Sequence, residues 1–522
     1  MTTVHSRVFR NSYRDSVELM QIAAEIESLV GIYRAGLVMA TPANLGVLEA
    51  AGLLSDAAGA AGPNDLVVAV ASQDETVATQ ALERAATRLS GSGTEGPNES
   101  ARTEARTLGE GVAQLGSANL TLISTPGSYA TAEALKALKR GLNVFLFSDN
   151  VPVEDEIELK LIARTKGLLL MGPDCGTAIL DGVPLGFANV VRRGTIGLVG
   201  ASGTGLQQVS CLIDRYGAGV SQAIGVGGRD LDERVGGAMM LAALERLAAD
   251  PGTELIVLIS KPPSASVAEQ VLIAARTAGK PVIVNFLGGD PATVTAAGSI
   301  PAATFEGAAT IASSMMLGRP IPGRDREGGG APENGMGSAP DDDSIAVREA
   351  RAGLDATQWR IRGLYSGGSL AGEAKLVLSD SLGAEATTRH QIIDLGDDEF
   401  TVGRPHPMID PRLRNEHLAA AAADPSTAVI LLDVVLGYGA NADPAGALAS
   451  AIHAARAEAA RGGRRFAVVA SVCGTSGDPQ GLGAQEVRLA EAGVILAQSN
   501  ARAARIAARI VVPATVTAGG AG

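Results

Sequence analysis

The sequence predicts a doubly wound α/β protein of several domains, and three observations carry that reading. Short apolar runs recur between residues 107 and 319, each bounded by glycine and followed by helical spacing, as in NLTLIST before a helix at 128–140 and NVFLFS before one at 153–166. Strands buried on both faces of a parallel sheet have this pattern. The chain has 65 glycines and only 3% aromatic residues, which suits small-residue helix-on-sheet packing with many tight turns. At 522 residues it also exceeds what one core serves, since domains run to roughly 150 residues.

Residues 1–89 read as a small α/β domain, in which VFRN, GIYRAGLVMA and DLVVAVA alternate with helical patterns. Asp15 with Glu18 makes a capping box ahead of Leu19, Ala23, Ile26 and Val30 at helical spacing. A polar, glycine-rich linker follows at 90–106. The βα series then divides into a Rossmann-like part at 107–190, ending with LLLMGPD, and a flavodoxin-like part at 191–319 with TIGLVG, QAIGVGG, ELIVLIS and PVIVNF as strands. A second linker spans 320–357, its segment 320–344 rich in Gly, Pro and acids. The last domain, 358–518, repeats the pattern with RIRGLYSGG, HQIIDLGDD, TAVILLDVV, RFAVVASV and VILA.

An internal repeat relates the last two domains. DPGTELIVLI at 250–259 reappears as DPSTAVILLD at 424–433, GASGTG at 200–205 as SGGSLAG at 366–372, and GVGGRDLD at 225–232 as DLGDDEF at 394–400. Three anchors in one order point to two copies of one domain facing each other about a pseudo-two-fold axis.

Composition excludes several classes of function. A formal charge of −13 and a pI near 5.0, with no Lys/Arg run, disfavour nucleic acid as a partner. Three cysteines, Cys175, Cys211 and Cys473, without a CxxC pair, give neither a disulfide framework nor a zinc site and fit a reducing compartment. No His/Cys/Asp/Glu cluster has metal-ligand spacing. The start lacks an apolar signal region and no apolar stretch is long enough to span a bilayer, so the expectation is a cytoplasmic protein with no membrane partner.

The sharpest local feature is GTIGLVGASGTGLQQVSCLID at 194–214: strand, small-residue turn, helix. Ser202, Gly203 and Thr204 fall at the helix N-terminus, where free N–H groups and the helix dipole favour a phosphate or carboxylate. It is neither a Walker loop, lacking the lysine, nor the dinucleotide GxGxxG, whose glycine order differs. LLDVVLGYGANADPAGAL at 431–448 is a second such turn, offering Gly437, Tyr438, Gly439, Asn441 and Asp443, and VCGTSGDPQG at 472–481 a third, with Cys473, Gly474, Thr475 and Ser476. If the copies face each other, the first two helix ends converge on one anion. GPDCGT places Asp174 and Cys175 at a strand's carboxyl edge, lining the site, with Cys175 read as a buried structural thiol rather than a nucleophile. Arg229 in GVGGRD reads either as a bidentate anion clamp or as a surface ion pair, and GRPHPMIDP at 403–411 presents Arg404, His406 and Asp410 from a proline-fixed loop.

At these residues the chain resembles the succinyl-CoA synthetase superfamily. GPDCGT is similar to the family's GPNCPG, GASGTG to its SRSGT turn, GVGGRD to its GIGGD, and LGYGANAD to the glycine-rich turn of the β-subunit carboxyl domain. The resemblance implies a partial CoA-binding Rossmann-like domain at 107–190 and two flavodoxin-like succinyl-CoA synthetase-type domains, α-like at 191–319 and β-like at 358–518. RNSYRDS, TPAN and GRPHPMIDP, with the order of domains, look specifically like the FdrA family, often labelled acyl-CoA synthetase.

The departures change the expected chemistry. Where the resembled enzymes carry a phosphate-relaying His in GHAGAI, this chain has TAAGSI with Ala296, and where they place a supporting acid it has SKPPSA with Lys261. The first CoA loop and the ATP-grasp domain have no match, so CoA and ATP are both in doubt, and carbamoyl phosphate or phosphate is the expected ligand. The FdrA resemblance implies a subunit of oxamate carbamoyltransferase in allantoin catabolism, transferring a carbamoyl group from carbamoyl phosphate to oxamate together with partner subunits. Ser202, Gly203, Thr204, Gly437, Gly439 and Asn441 then hold the phosphoryl group, Arg229, Arg404 or Lys261 hold the carboxylate, and His406 walls the site. An acyl-CoA synthetase completed by partner chains, and a non-catalytic, phosphate-sensing scaffold, are the alternatives. Homo-oligomerisation stays open.

Overall fold

The computed structural model describes residues 3–14, 16–91, 105–321, 340–401 and 405–512. They form two compact units, the first made of residues 1–118 with 397–410, the second of 119–396 with 411–522. Asp15 of the expected capping box and most of both linkers lie outside the described residues.

The first unit holds an antiparallel sheet in the order Thr3–Phe9, Leu66–Ser72, Ile32–Met39. Its central strand is buried on both faces, and strand alternation divides the core. Leu66, Val68 and Val70 face Leu19, Ile22 and Ile26, whereas Val67 and Ala69 face Leu48, Leu53 and Ala58. Val30 falls outside the helical pattern drawn from the sequence: the helix ends at Glu27 and Val30 is 95% exposed.

The second unit contains three sheets. A small parallel sheet, Leu120–Ile123, Asn143–Leu146 and Leu170–Met171, carries helices Gly127–Lys139 and Val153–Thr165, close to the predicted positions. A seven-stranded sheet runs Ile300–Pro301, Val282–Phe286, Leu255–Ser260, Arg193–Gly200, Val220–Gly225, and then the antiparallel hairpin Thr177–Leu180 and Val183–Gly186. That hairpin precedes the domain boundary expected at 191. A five-stranded parallel sheet runs Gln391–Asp394, Arg360–Tyr365, Thr427–Val435, Ala467–Cys473, Ile495–Ala497.

Counted from its first strand, each of the two larger sheets has its five parallel strands in the order 2-1-3-4-5, the flavodoxin-like arrangement. The three repeat anchors fall at equivalent places: after the first strand, at the end of the second, and on the third. The equivalence also fixes which helices correspond. Gly203–Arg215 follows the first strand of one copy and Gly368–Leu382 the first strand of the other. Pro444–Arg461 follows a third strand and corresponds to Ala265–Arg276.

One helix lies inside the stretch read as linker. Pro340–Ala352 buries Val347, and Arg351 donates to the carbonyls of Arg509, Ile510 and Val512 at the end of helix Asn500–Val511. Acids and glycines on its N-terminal side hid a short apolar face. Among the described residues no helix is long and apolar enough to cross a membrane.

Candidate functional site

The N-termini of helices Gly203–Arg215 and Gly368–Leu382 meet at the carboxyl ends of their sheets. Ser202 caps the first, accepting from the Gly205 amide at 3.0 Å, and its hydroxyl donates to the Ser369 hydroxyl at 2.6 Å. Gly367, at the cap of the second, approaches Thr204 so closely that a Cβ there would lie 2.9 Å from Thr204 Cγ2. The first amides of a helix have no intrahelical acceptor. The Ser202 cap takes only that of Gly205, and Gly203, Thr204 and Gly368 are partly open to solvent. Two positive helix ends thus lie side by side, an arrangement that favours an anion, and the Gly368 end has the Asp394 carboxylate against it.

Buried charge holds the second arm in place. Both carboxylate oxygens of the fully buried Asp433 accept from the loop before Gly368: Oδ1 from the Ser366 amide at 2.8 Å and hydroxyl at 3.0 Å, Oδ2 from the Gly367 amide at 2.8 Å. Arg414, also buried, donates to the Asp433 carbonyl at 2.7 Å and lies 3.3 Å from its carboxylate. Burial pushes the Asp433 carboxyl up and the Arg414 guanidinium down from their ordinary values, each opposed by the other's charge. Removing one partner of such a pair costs about 3–5 kcal/mol, because the other is left charged and unpaired.

Two acids near the site were not singled out from the sequence. Asp394 sits at the N-terminal end of helix Gly368–Leu382, its Oδ2 only 2.2 Å from where a Gly368 Cβ would be, so one helix end already faces a carboxylate. Glu373, 1% exposed, accepts from the Phe305 amide at 2.6 Å and from Asn500 Nδ2 at 2.8 Å, tying helices Phe305–Met316 and Asn500–Val511 to Gly368–Leu382. Burial raises its carboxyl to about 7.

The structure corrects the partner assigned to the Ser202 turn. The Gly437 amide donates to Gln480 at 3.0 Å, the Tyr438 amide to the Ala188 carbonyl, and the Asp443 amide to Asn441 Oδ1. Asp443 itself caps its helix through the Gly446 amide and pairs with Arg488. The Gly437, Gly439 and Asn441 turn is thus engaged with Gln480, Ala188, Asp443 and Phe187, and the helix start that meets the Ser202 turn is that of Gly367, Gly368 and Ser369.

The turn at Gly474, Thr475 and Ser476 is likewise a staple. Thr475 Oγ1 donates to the Val190 carbonyl at 2.5 Å and its amide to Asp478, which also receives Asn189 Nδ2 and the Val190 amide. Gly474 packs on Leu436, while Ser476 is exposed.

Arg229 is an ion-pair residue: Nη2 lies 2.9 Å from Glu156 and donates to the Val151 carbonyl at 2.7 Å. Glu156 and Asp230 share the buried Lys160 ammonium at 2.7 Å each, and Asp230 caps helix Ala238–Ala249 through the Met239 and Met240 amides. This cluster locks the loop and ties up Nη2 of Arg229, whose side chain is 44% exposed. Lys261 is exposed just beyond strand Leu255–Ser260. Cys175 is 2% exposed and burial pushes its thiol up to about 12, which removes it as a nucleophile; Asp174 beside it is exposed. His406 belongs to the first unit, where its Nδ1 accepts from the Met408 amide at 3.2 Å, and Arg404 lies outside the described residues.

The protein YahF of Escherichia coli (strain K12) is 40% identical over 517 residues, covering 96% of this chain and 97% of that protein. The chain belongs to the same family as YahF. Family models place it within a succinyl-CoA synthetase-like group: CoA-ligase matches residues 364–510, CoA binding domain 191–289, and AllF, heavy metal-associated domain 1–106. Succinate–CoA ligase [ADP-forming] subunit alpha-2 of Trichomonas vaginalis is 32% identical over 33% of this chain and 57% of that protein. The ADP-forming sulfoacetate–CoA ligase subunit SauD of Bilophila wadsworthia (strain 3_1_6) is 27% identical over 33% and 60% respectively. YahF thus shares the full length, whereas the chain spans somewhat over half of each of these two ligase subunits.

Two implied groups can be tested against the residues. A heavy-metal site needs soft ligands, yet residues 1–106 contain no cysteine, and among the described residues no group of three or more His, Cys, Asp or Glu is placed to hold a metal. The first unit has the heavy-metal-domain match without its ligands. The CoA binding domain match falls on residues 191–289, in the seven-stranded sheet, and not on the small sheet where the sequence placed CoA, whose two helix starts are ill-suited to a diphosphate. One opens with Glu154, Asp155 and Glu156, and the other begins at Gly127 pressed against the carbonyls of Asp149 and Asn150.

Proposed function

We propose that the chain is a subunit of an acyl-CoA synthetase-type enzyme and that its site binds the phosphoryl group of an acyl phosphate between the Gly203 and Gly368 helix ends. The observation that carries this reading is their convergence, with Ser202 and Ser369 in contact and Gly203, Thr204 and Gly368 open to solvent. In the step proposed, a nucleophile attacks the acyl carbon, the carbon–oxygen bond to phosphate breaks, and the nucleophile's proton leaves with the phosphate. Helix dipoles and fixed N–H groups stabilise the charge gathering on the departing oxygen. With Ala296 where the resembled enzymes have histidine, phosphate is not parked on that side chain.

A thiol acceptor, with catalysis completed by partner subunits, is supported by the CoA-ligase and CoA-binding matches and by the ligase relatives. The second reading is carbamoyl transfer to oxamate, as the FdrA resemblance implies; the AllF match at 1–106 and Ala296 favour it. Both share the phosphate site.

Thermal-shift measurements on the whole chain with phosphate, acetyl phosphate, carbamoyl phosphate and CoA test the reading. At a hundredfold excess over Kd, binding stabilises the native state by about 2.7 kcal/mol. Stabilisation by the phosphate compounds supports the site, and a further shift with CoA selects the thiol acceptor. No shift with any phosphate compound rejects the proposal.

A further inference from the structure

The helix that supplies the second arm of the site also carries a buried acid that, among the described residues, has no cation in contact. Glu373 lies five residues beyond Gly368 on helix Gly368–Leu382, a rise of about 7.5 Å. Its carboxylate is bonded by two neutral donors, the Phe305 amide and Asn500 Nδ2. Phe305 links it to the other arm: its ring lies 3.1 Å from where a Cβ on Gly205 would be, and the Gly205 amide is the one that Ser202 caps. A buried negative charge therefore stands behind the Gly368 helix end and one side chain removed from the Ser202 turn.

The charges around Glu373 do not cancel it. Helix Phe305–Met316 brings the buried Glu306, and helix Asn500–Val511 brings Arg505, which is paired with Glu306 at 3.2 Å. Strand Arg360–Tyr365 brings the Tyr365 phenol, which burial, Asp433 and Glu373 push up, and Asp394 faces the start of the same helix. Helix Gly203–Arg215 meets that start through the uncharged Thr204. Burial, helped by Glu306, thus holds the Glu373 carboxyl up at about 7 against its two hydrogen bonds and Arg505. The neutral form also has a place in the packing, because Asn500 Oδ1 is buried without a partner. Turned end for end, the Asn500 amide accepts from a protonated Glu373 in exchange for its bond to the Leu370 carbonyl.

Charge acts over this range without contact. An anion between the helix ends and an ionised Glu373, at about 10 Å and an effective dielectric of about 20, oppose each other enough to change affinity about tenfold per unit charge. From the reading of those ends as the phosphoryl site, on which this inference rests, we propose that Glu373 is a proton switch on anion binding. Above neutral pH it is ionised while the site is empty and takes up a proton from solvent when the site fills, so that phosphate is held tightly in mildly acidic solution and let go as the pH rises. Glu373 itself makes no bond to the ligand.

Calorimetric titration of the full chain with orthophosphate from pH 6 to 8, in the wild type, Glu373→Gln and Glu373→Met, tests this. Orthophosphate itself titrates in that range, so the quantity read is the ratio of wild-type to variant affinity, from which the ligand's own ionisation cancels. The raised carboxyl is protonated at pH 6, where wild type and variants are expected to bind alike. At pH 8 it is ionised, and the wild type is expected to bind about fivefold more weakly than either variant. Titration in buffers of low and high ionisation enthalpy is expected to show the wild type taking up about half a proton more than the variants at pH 7.5. A ratio that does not change with pH, or variants that lose orthophosphate at every pH, overturns the assignment of Glu373 alone. A wild type that binds no orthophosphate at any pH overturns the phosphoryl-site reading itself, so the two failures are distinguishable.

Discussion

Ser202 and Ser369 stand at the starts of two helices 167 positions apart in sequence and share a hydrogen bond of 2.6 Å. The two helices are equivalent in two copies of one 2-1-3-4-5 fold, Ser202 being the cap of one and Ser369 the second residue of the other, so the contact joins the copies where each has an N-terminal helix end. The proposed site depends on the repeat: one helix end supplies few donors, and two supply more.

The fit of Gly367 against Thr204 sets how closely the ends approach. Gly367 has an extended backbone that any residue adopts, so substitution there is a matter of space alone. Gly367→Ala is expected to destabilise the chain by about 1–3 kcal/mol and to weaken phosphate binding. The same substitution in a Thr204→Gly background is expected to cost measurably less, a coupling that a double-mutant cycle by urea denaturation reads directly.

Asp394 faces one helix end with a negative charge and therefore opposes an arriving phosphate. Asp394→Asn is expected to raise orthophosphate affinity several-fold at low salt, with a smaller gain at high salt. Calorimetric titration at two ionic strengths checks both parts.

Glu373 gives the fold a pH dependence with a definite sign. Its carboxyl is raised in the folded chain from 4.5 to about 7, so the stability it contributes is fully present below 4.5 and is lost as pH rises through about 7. The loss is about 3 kcal/mol. Urea denaturation from pH 4.5 to 8 is expected to show this decline in the wild type and a flatter profile in Glu373→Gln.

The fold was legible because strands buried on both faces read as unbroken apolar runs, and the three repeat anchors marked equivalent points in the two copies. The site was legible by half. Ser202, Gly203 and Thr204 carried the signature of a strand, a small-residue turn and a helix, but LGYGANAD has the same signature, and composition does not say which turn follows a first strand and which a third. Only strand order does, and it pairs Ser202 with Ser369. Arg229 stayed open between clamp and ion pair because its partner Glu156 is 73 positions away, and Asp433 looked like one more residue of an apolar strand because its partners Arg414 and Ser366 lie 19 and 67 positions away on other elements.

The most direct measurement removes one of the proposed phosphate donors. Gly203 is the first residue of its helix, the preceding Ser202 is extended at φ −161° and ψ 107°, and a Cβ at Gly203 meets nothing closer than Thr177 Oγ1 at 3.5 Å; proline is favoured at this helix position and lacks the N–H. Orthophosphate titrated into the wild type and into Gly203→Pro is expected to bind the variant about tenfold or more weakly, the value of one charge-assisted hydrogen bond, with an unchanged melting temperature in the absence of ligand. Equal affinity in the two proteins would contradict the claim that the paired helix ends hold the phosphoryl group.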